Sequence, residues 1–178
     1  MYGDVRLGGP VAQLSVGSDH ACALMEDGQV RCWGKGASGR LGNNDGSGAD
    51  RDLPVVVRGT SGTGSLSGVT LLSTGADHSC ARLTTGQAVC WGDSSSGALG
   101  DGTDSTDSLV PGPVANTTGD GNLTAVTAVD AGANATCARL ANGQARCWGN
   151  AVDGRLGNNG SVNVVFPVAV RNVVDSAA

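Results

Sequence analysis

The sequence predicts an all-β protein, with three four-stranded antiparallel blades of a β-propeller laid out one after another. Three observations predict it. The stretch His20-Ala-Cys22 through Cys32-Trp33-Gly34 recurs as His78-Ser-Cys80 through Cys90-Trp91-Gly92, and again as Ala135-Thr-Cys137 through Cys147-Trp148-Gly149, 58 and then 57 residues on. Each copy holds two cysteines ten residues apart, with a glycine (Gly28, Gly86, Gly143) six places after the first. Further motifs keep step around each copy, giving about four short strands per repeat, which describes a propeller blade.

Taken in order, each repeat opens with a lead-in strand: Val11-Ala-Gln-Leu14-Ser-Val, Val69-Thr-Leu-Leu72-Ser-Thr and Val126-Thr-Ala-Val129-Asp-Ala. A hairpin follows. With Cys22 opposite Cys32, Ala23 faces Arg31, Leu24 faces Val30 and Met25 faces Gln29. Glu26-Asp27-Gly28 is left as a three-residue loop, with glycine where a left-handed backbone is needed. Opposite residues in an antiparallel pair share a face, and in a non-hydrogen-bonded pair their Cβ atoms approach disulfide distance. Three local bridges are therefore expected: Cys22 with Cys32, Cys80 with Cys90, and Cys137 with Cys147. Next come Gly39-Arg-Leu-Gly42, Gly97-Ala-Leu-Gly100 and Gly154-Arg-Leu-Gly157, then a polar loop. The last strand of each repeat is expected to begin at Pro54-Val, Pro113-Val114 and Pro167-Val, since proline at the start of an edge strand loses no ladder bond.

Face parity agrees with a sheet covered on both sides. Cys22, Leu24, Val30 and Cys32 fall on one face, and Ala23, Met25 and Trp33 on the other. Arg82 and Arg139 occupy the Leu24 position in the later repeats, where each needs a partner or a route to solvent. The chain divides as one repeat domain, 1–178, with blades at about 11–68, 69–125 and 126–178.

Composition narrows the function. The 178 residues include 30 glycines, only three Trp, one Tyr and one Phe, and a formal charge of −5 from 11 basic and 16 acidic side chains. No Lys/Arg cluster provides the electrostatic footprint of a nucleic-acid or anionic-membrane binder. No apolar run approaches the length of a bilayer span. Cysteines in equally spaced pairs favour an oxidising compartment over a structural zinc site, whose ligands usually come in two close pairs. Export is therefore expected, to the extracellular space, periplasm or cell surface. The absence of a leader at Met1 is then read as the mark of a processed form.

The order Val-x-x-Leu, Gly-x-x-His, Cys-Ala, Gly-x-Val, Cys-Trp-Gly, Gly-x-Leu-Gly, Pro-Val resembles the regulator of chromosome condensation repeat, from about Val11 to Val170. That resemblance implies a β-propeller, usually of seven blades, working mainly through protein–protein contacts. The founding member of that family is a nuclear guanine-nucleotide exchange factor. Other similar propellers are secreted, and some inhibit β-lactamases. The paired cysteines resemble the exported, bacterial-type branch. Two departures stand out: Ala135 replaces the histidine of the third repeat, and only three full repeats are present. The tail from Arg171 to Ala178 resembles the start of another lead-in strand, and Val5-Arg-Leu resembles the end of a preceding blade. Three blades leave two open apolar faces, through which self-association is expected.

Candidate chemistry is sparse. His20 and His78 lack a second catalytic group nearby and are read as side chains that fix the turn by bonding to backbone. Trp33, Trp91 and Trp148 hold one repeat position and are read as blade packing rather than binding anchors. Asp101-Gly-Thr-Asp104-Ser-Thr-Asp107 lacks the spacing and terminal glutamate of an EF-hand and is read as a solvated turn. Gly34-Lys-Gly36-Ala-Ser-Gly39 lacks the ending and following helix of a phosphate loop. Arg40, Arg51 and Arg155 are the loop candidates for partner contact. No catalytic residue, metal ligand or cofactor is expected. The expected function is a non-enzymatic scaffold binding a protein partner. The alternatives are an inhibitor of a secreted enzyme, a self-assembling adhesin or filament segment and, least favoured by the cysteines, nucleotide exchange.

Overall fold

The computed structural model describes residues 7–172. Within them the chain forms twelve strands in three separate sheets, each strand neighbouring the next in sequence. Blade 1 holds β1 (Val11–Val16), β2 (His20–Met25), β3 (Val30–Gly34) and β4 (Arg51–Val56). Blade 2 holds β5 (Val69–Thr74), β6 (His78–Leu83), β7 (Ala88–Gly92) and β8 (Ser108–Pro113). Blade 3 holds β9 (Val126–Ala131), β10 (Ala135–Leu140), β11 (Ala145–Gly149) and β12 (Val164–Ala169). Each blade also has one turn of 3₁₀ helix between its third and fourth strands. The blades are all-β and antiparallel throughout, as the repeat pattern predicts. The resemblance drawn from Val5 and from Val173–Ala178 lies outside the described residues.

The hairpins close as the cysteine spacing requires. Cys22 pairs in register with Cys32, Ala23 with Arg31 and Leu24 with Val30. The Met25 amide donates to the Gln29 carbonyl and the Gly28 amide to the Met25 carbonyl, both at 2.9 Å, and Gly28 has φ +78°. In all three hairpins the cysteine sulfurs are bonded, with Cα atoms 4.1 Å apart.

The fourth strands begin earlier than the Pro-Val signal indicates. They start at Arg51, Ser108 and Val164, so proline sits inside the strand. In blade 2 the residue matching Pro54 and Pro167 is Pro111, while Pro113 ends β8 opposite Val89. The reason is a register shift opposite each Trp. The β3–β4 ladder jumps between Cys32 and Gly34, so Pro54 falls in the irregular stretch where no amide is called upon.

The two larger cores lie between blades, while a third, smaller cluster of Cys147, Ala151 and Leu156 lies within blade 3. Cys22, Leu24, Val30 and Cys32 of blade 1 pack with Leu41 and Val57 against Val69, Leu72, Ala81, Val89 and Trp91. The second joint repeats this with Cys80, Cys90, Leu99 and Val114 against Val126, Val129, Ala138 and Trp148. One face of each sheet thus meets the opposite face of the next. The second glycine of Gly-x-Leu-Gly makes room: a Cβ on Gly42 would lie 2.8 Å from the Trp91 Nε1, and one on Gly100 2.6 Å from that of Trp148. Arg82 finds its partners at the joint edge, donating from Nε to the Val126 carbonyl and from Nη1 to Thr70 Oγ1, both at 2.6 Å. Arg139, at the same position in blade 3, is exposed.

Candidate functional site: the inter-blade joints

The polar chemistry of the molecule is concentrated where blades meet. His20 opens β2 just after a turn in which the Gly17 amide donates to the His20 carbonyl at 2.8 Å. Its ring is 3% exposed and reaches into blade 2, with Nε2 2.9 Å from Ser79 Oγ. Ser79 Oγ in turn lies 3.5 Å from the Arg40 carbonyl, back in blade 1, and Trp91 Nε1 donates to that same oxygen at 3.0 Å. The second joint repeats the device. His78 Nε2 is 2.9 Å from Thr136 Oγ1, which donates to the Ala98 carbonyl at 3.0 Å, and Trp148 Nε1 joins at 2.9 Å.

The proton positions follow from the carbonyls. A carbonyl only accepts, so each hydroxyl donates to it, and each histidine donates to the hydroxyl through Nε2–H. The rings are neutral near pH 7, because burial disfavours the charged imidazolium. Burial pushes His20 down to about 4, helped by the charge of Arg40. Burial also pushes His78 down to about 4, helped by the proximity of His20.

A histidine beside a serine hydroxyl has the outline of a nucleophile–base pair, but the geometry here serves packing. Ser79 is 0% exposed, so no substrate reaches its oxygen. Nδ1 of His20 is buried with no partner to orient it, whereas a working base is held by a third group. The histidines do not bond to the backbone of their own turns, as the sequence suggested. They fasten one blade to the next. Sequence reasoning missed the other half of the device, the hydroxyl at Ser79 and Thr136. The signal was present in the residue following each histidine position: polar in repeats two and three, alanine (Ala21) in the first.

The three arginines separate. Arg40 is only 4% exposed: it forms an ion pair with Asp77 of blade 2 and donates from Nε to the Ala37 carbonyl at 2.9 Å. It is thus removed from the loop surface on which the sequence placed it, because the adjoining blade closes over it. Arg51 pairs with Asp45 and, with Gln29, Asn43, Arg58 and Ser65, lines an open cavity of about 620 Å³ beside β4. Arg155 is on the surface, 3.7 Å from Asp153. Trp91 and Trp148 are fully buried, whereas Trp33 is only half-buried. In the acidic loop, Asp101 Oδ1 accepts the Thr103 amide at 2.9 Å and Asp107 Oδ1 the Ser94 amide at 3.1 Å. Among the described residues no group of three or more His, Cys, Asp or Glu side chains could hold a metal ion.

A family model described as the regulator of chromosome condensation (RCC1) repeat matches residues 11–40, 69–98 and 126–155, and a second of the same description matches 27–82. The chain belongs to the RCC1 repeat family. The first two matched RCC1 segments run from the lead-in strand to the residue whose carbonyl accepts from the next blade, Arg40 or Ala98, and the third ends at the equivalent position, Arg155. Among curated relatives, the chain is 32% identical over 168 residues to the human E3 ubiquitin-protein ligase HERC2, covering 93% of this chain and 3% of that protein. It is 32% identical over 110 residues to the ultraviolet-B receptor UVR8 of Arabidopsis thaliana, covering 62% of this chain and 23% of that one. Among solved structures, yeast RCC1 (Prp20) bound to Kap60 superposes with a TM-score of 0.72 at 19% identity, over 92% of this chain and 37% of that chain. Prp20p of Saccharomyces cerevisiae, described with its binding to Gsp1p and histones, gives 0.70 over 92% and 39%. The chain thus spans well under two thirds of these relatives. The structural likeness establishes the fold, a run of RCC1-type propeller blades.

Proposed function

We propose that this RCC1 scaffold works in an oxidising compartment, outside the cytoplasm, as a non-enzymatic binder of protein partners. The observation that carries this reading is the disulfide across every hairpin, which leaves no free cysteine among the described residues. Thiols are kept reduced in the cytosol, so three structural disulfides in one small domain fit an exported protein. Partner contact falls to the loops flanking the outer strands. There Arg51 and Arg58 line the open cavity beside β4, and Arg155 stands on the surface of blade 3. Buried histidines held by hydroxyls, and acidic loops that bind their own backbone, supply no reacting group.

The experiment is intact-mass measurement of protein recovered from its natural host under thiol blocking. A gain of six hydrogens only after reduction supports the reading. Six blocked thiols before reduction would sink it.

A further inference from the structure

The rim of blade 1 carries a basic cavity that blades 2 and 3 do not repeat. Arg51 and Arg58 line the open cavity of about 620 Å³, together with Gln29, Asn43 and Ser65. The pairings fix the equivalent positions in the other blades. Gly34 opposes Arg51 as Gly92 opposes Ser108, and Arg58 bridges Ser65 as Ala115 bridges Asn122. Blade 2 thus has Ser108 and Ala115 in place of the two arginines, and blade 3 has Val164 opposite Gly149. The same four strands form without the arginine pair, so blade packing does not require it.

The walls of the cavity are held in place. The Arg58 amide donates to the Gly42 carbonyl at 2.8 Å, and the Asn44 side-chain amide to the Gly62 carbonyl at 3.4 Å. Neighbouring blades do not cover this rim. Blade 2 is flanked on both sides, and its matching Asp101, Thr103, Pro113, Gly121 and Asn122 stay exposed. A further blade ahead of blade 1 would leave the cavity open in the same way. Its charges are only partly balanced. Asp45 pairs with Arg51, whose side chain remains 39% exposed. Hydrogen bonds from Ser47 hold the Asp45 carboxyl below its usual range, so it stays ionised. Among the described residues nothing pairs with the exposed Arg58 guanidinium. Two guanidinium groups against one carboxylate leave a single positive charge in excess, on a chain whose formal charge is −5.

We propose that this cavity receives the carboxylate of a glutamate or aspartate on a protein partner, clasped by Arg58 and by the part of Arg51 that Asp45 leaves free. A guanidinium matches a carboxylate through two parallel hydrogen bonds. One excess positive charge suits a monoanion. A phosphate dianion would stay half uncompensated and would face Asp45. Val55 and Val56, also in the lining, offer apolar contact to the methylene stem of such a side chain. Such a site deepens, and rests on, the reading of the chain as a binder of protein partners.

The test titrates the full, oxidised chain with N-acetyl-glutamate methylamide at constant ionic strength, following backbone amide and arginine Nε–H resonances by NMR. Saturating shifts centred on Arg58 and Ser65 are expected, and none with the uncharged glutamine counterpart. Arg58→Ala should weaken binding on the order of tenfold, Arg58→Lys less, and Arg155→Ala not at all. Both arginines are exposed, so the spectra of these variants should otherwise match the parent. Inorganic phosphate should bind more weakly than the glutamate probe. Shifts that never saturate and spread over all exposed basic residues overturn the proposal. So does full affinity in Arg58→Ala, or tighter binding of phosphate. Thiols found free in the natural host would overturn the compartment and leave this titration unchanged, so the two failures are distinguishable.

Discussion

At the residue scale the histidines and hydroxyls decide the character of the joints. Thr136 holds His78 Nε2–H and shares the Ala98 carbonyl with Trp148. Replacing Thr136 by Val keeps the shape, leaves the Ala98 oxygen its indole donor, and orphans the histidine. We expect a loss of about 1–3 kcal/mol in urea unfolding. Adding His78→Leu should cost less than the two single changes summed. Strict additivity would mean that the bond contributes nothing. The rings also set a pH dependence. Both are held at about 4 in the fold, against 6.5 in an unfolded chain. As pH falls from about 6.5 toward 4, the unfolded chain takes up protons that the folded chain resists. Stability is therefore fully present above this window and is lost within it, on the order of 2–3 kcal/mol per histidine. Denaturant midpoints at pH 7 and pH 4.5 check this, and equal midpoints would refute it.

At the element scale the hairpin is the unit. Two short strands and a three-residue loop are marginal alone, and few large side chains are available to hold them. The cross-hairpin bond closes a loop of about 11 residues, worth about 3 kcal/mol in the chain-entropy picture. Replacing Cys80 and Cys90 together by alanine should lower stability by about that amount while leaving strand content unchanged in circular dichroism. A loss of the whole β signature instead would show that the hairpin needs the bond to exist at all.

At the scale of the whole molecule, stability comes from stacking. Each sheet buries both faces only where it has two neighbours, so equivalent residues have unequal weight. Trp91 is 0% exposed and fills the first joint, and Trp91→Ala should cost about 3–5 kcal/mol. Trp33→Ala, at a half-buried position in blade 1, should cost well under half of that. Equal losses in the two variants would refute this weighting.

The repeat, the hairpin register and the sulfur pairing were legible in the sequence, because period, glycine position and cysteine spacing are local and β pairing within a hairpin follows from counting. The paired strand faces could be assigned for the same reason. Proline misled at β4, β8 and β12, because a bulge opposite each Trp tolerates a missing amide inside the strand. Arg40 misled as well: in sequence it lies in a polar loop, and only the neighbouring blade turns it into a buried ion pair with Asp77. The joints were beyond sequence reasoning because their partners lie in different repeats, His20 with Ser79 and Arg40 with Asp77. Distance along the chain says nothing about which face meets which. Local spacing determined the blades, while packing of one sheet on the next decided which side chains work together.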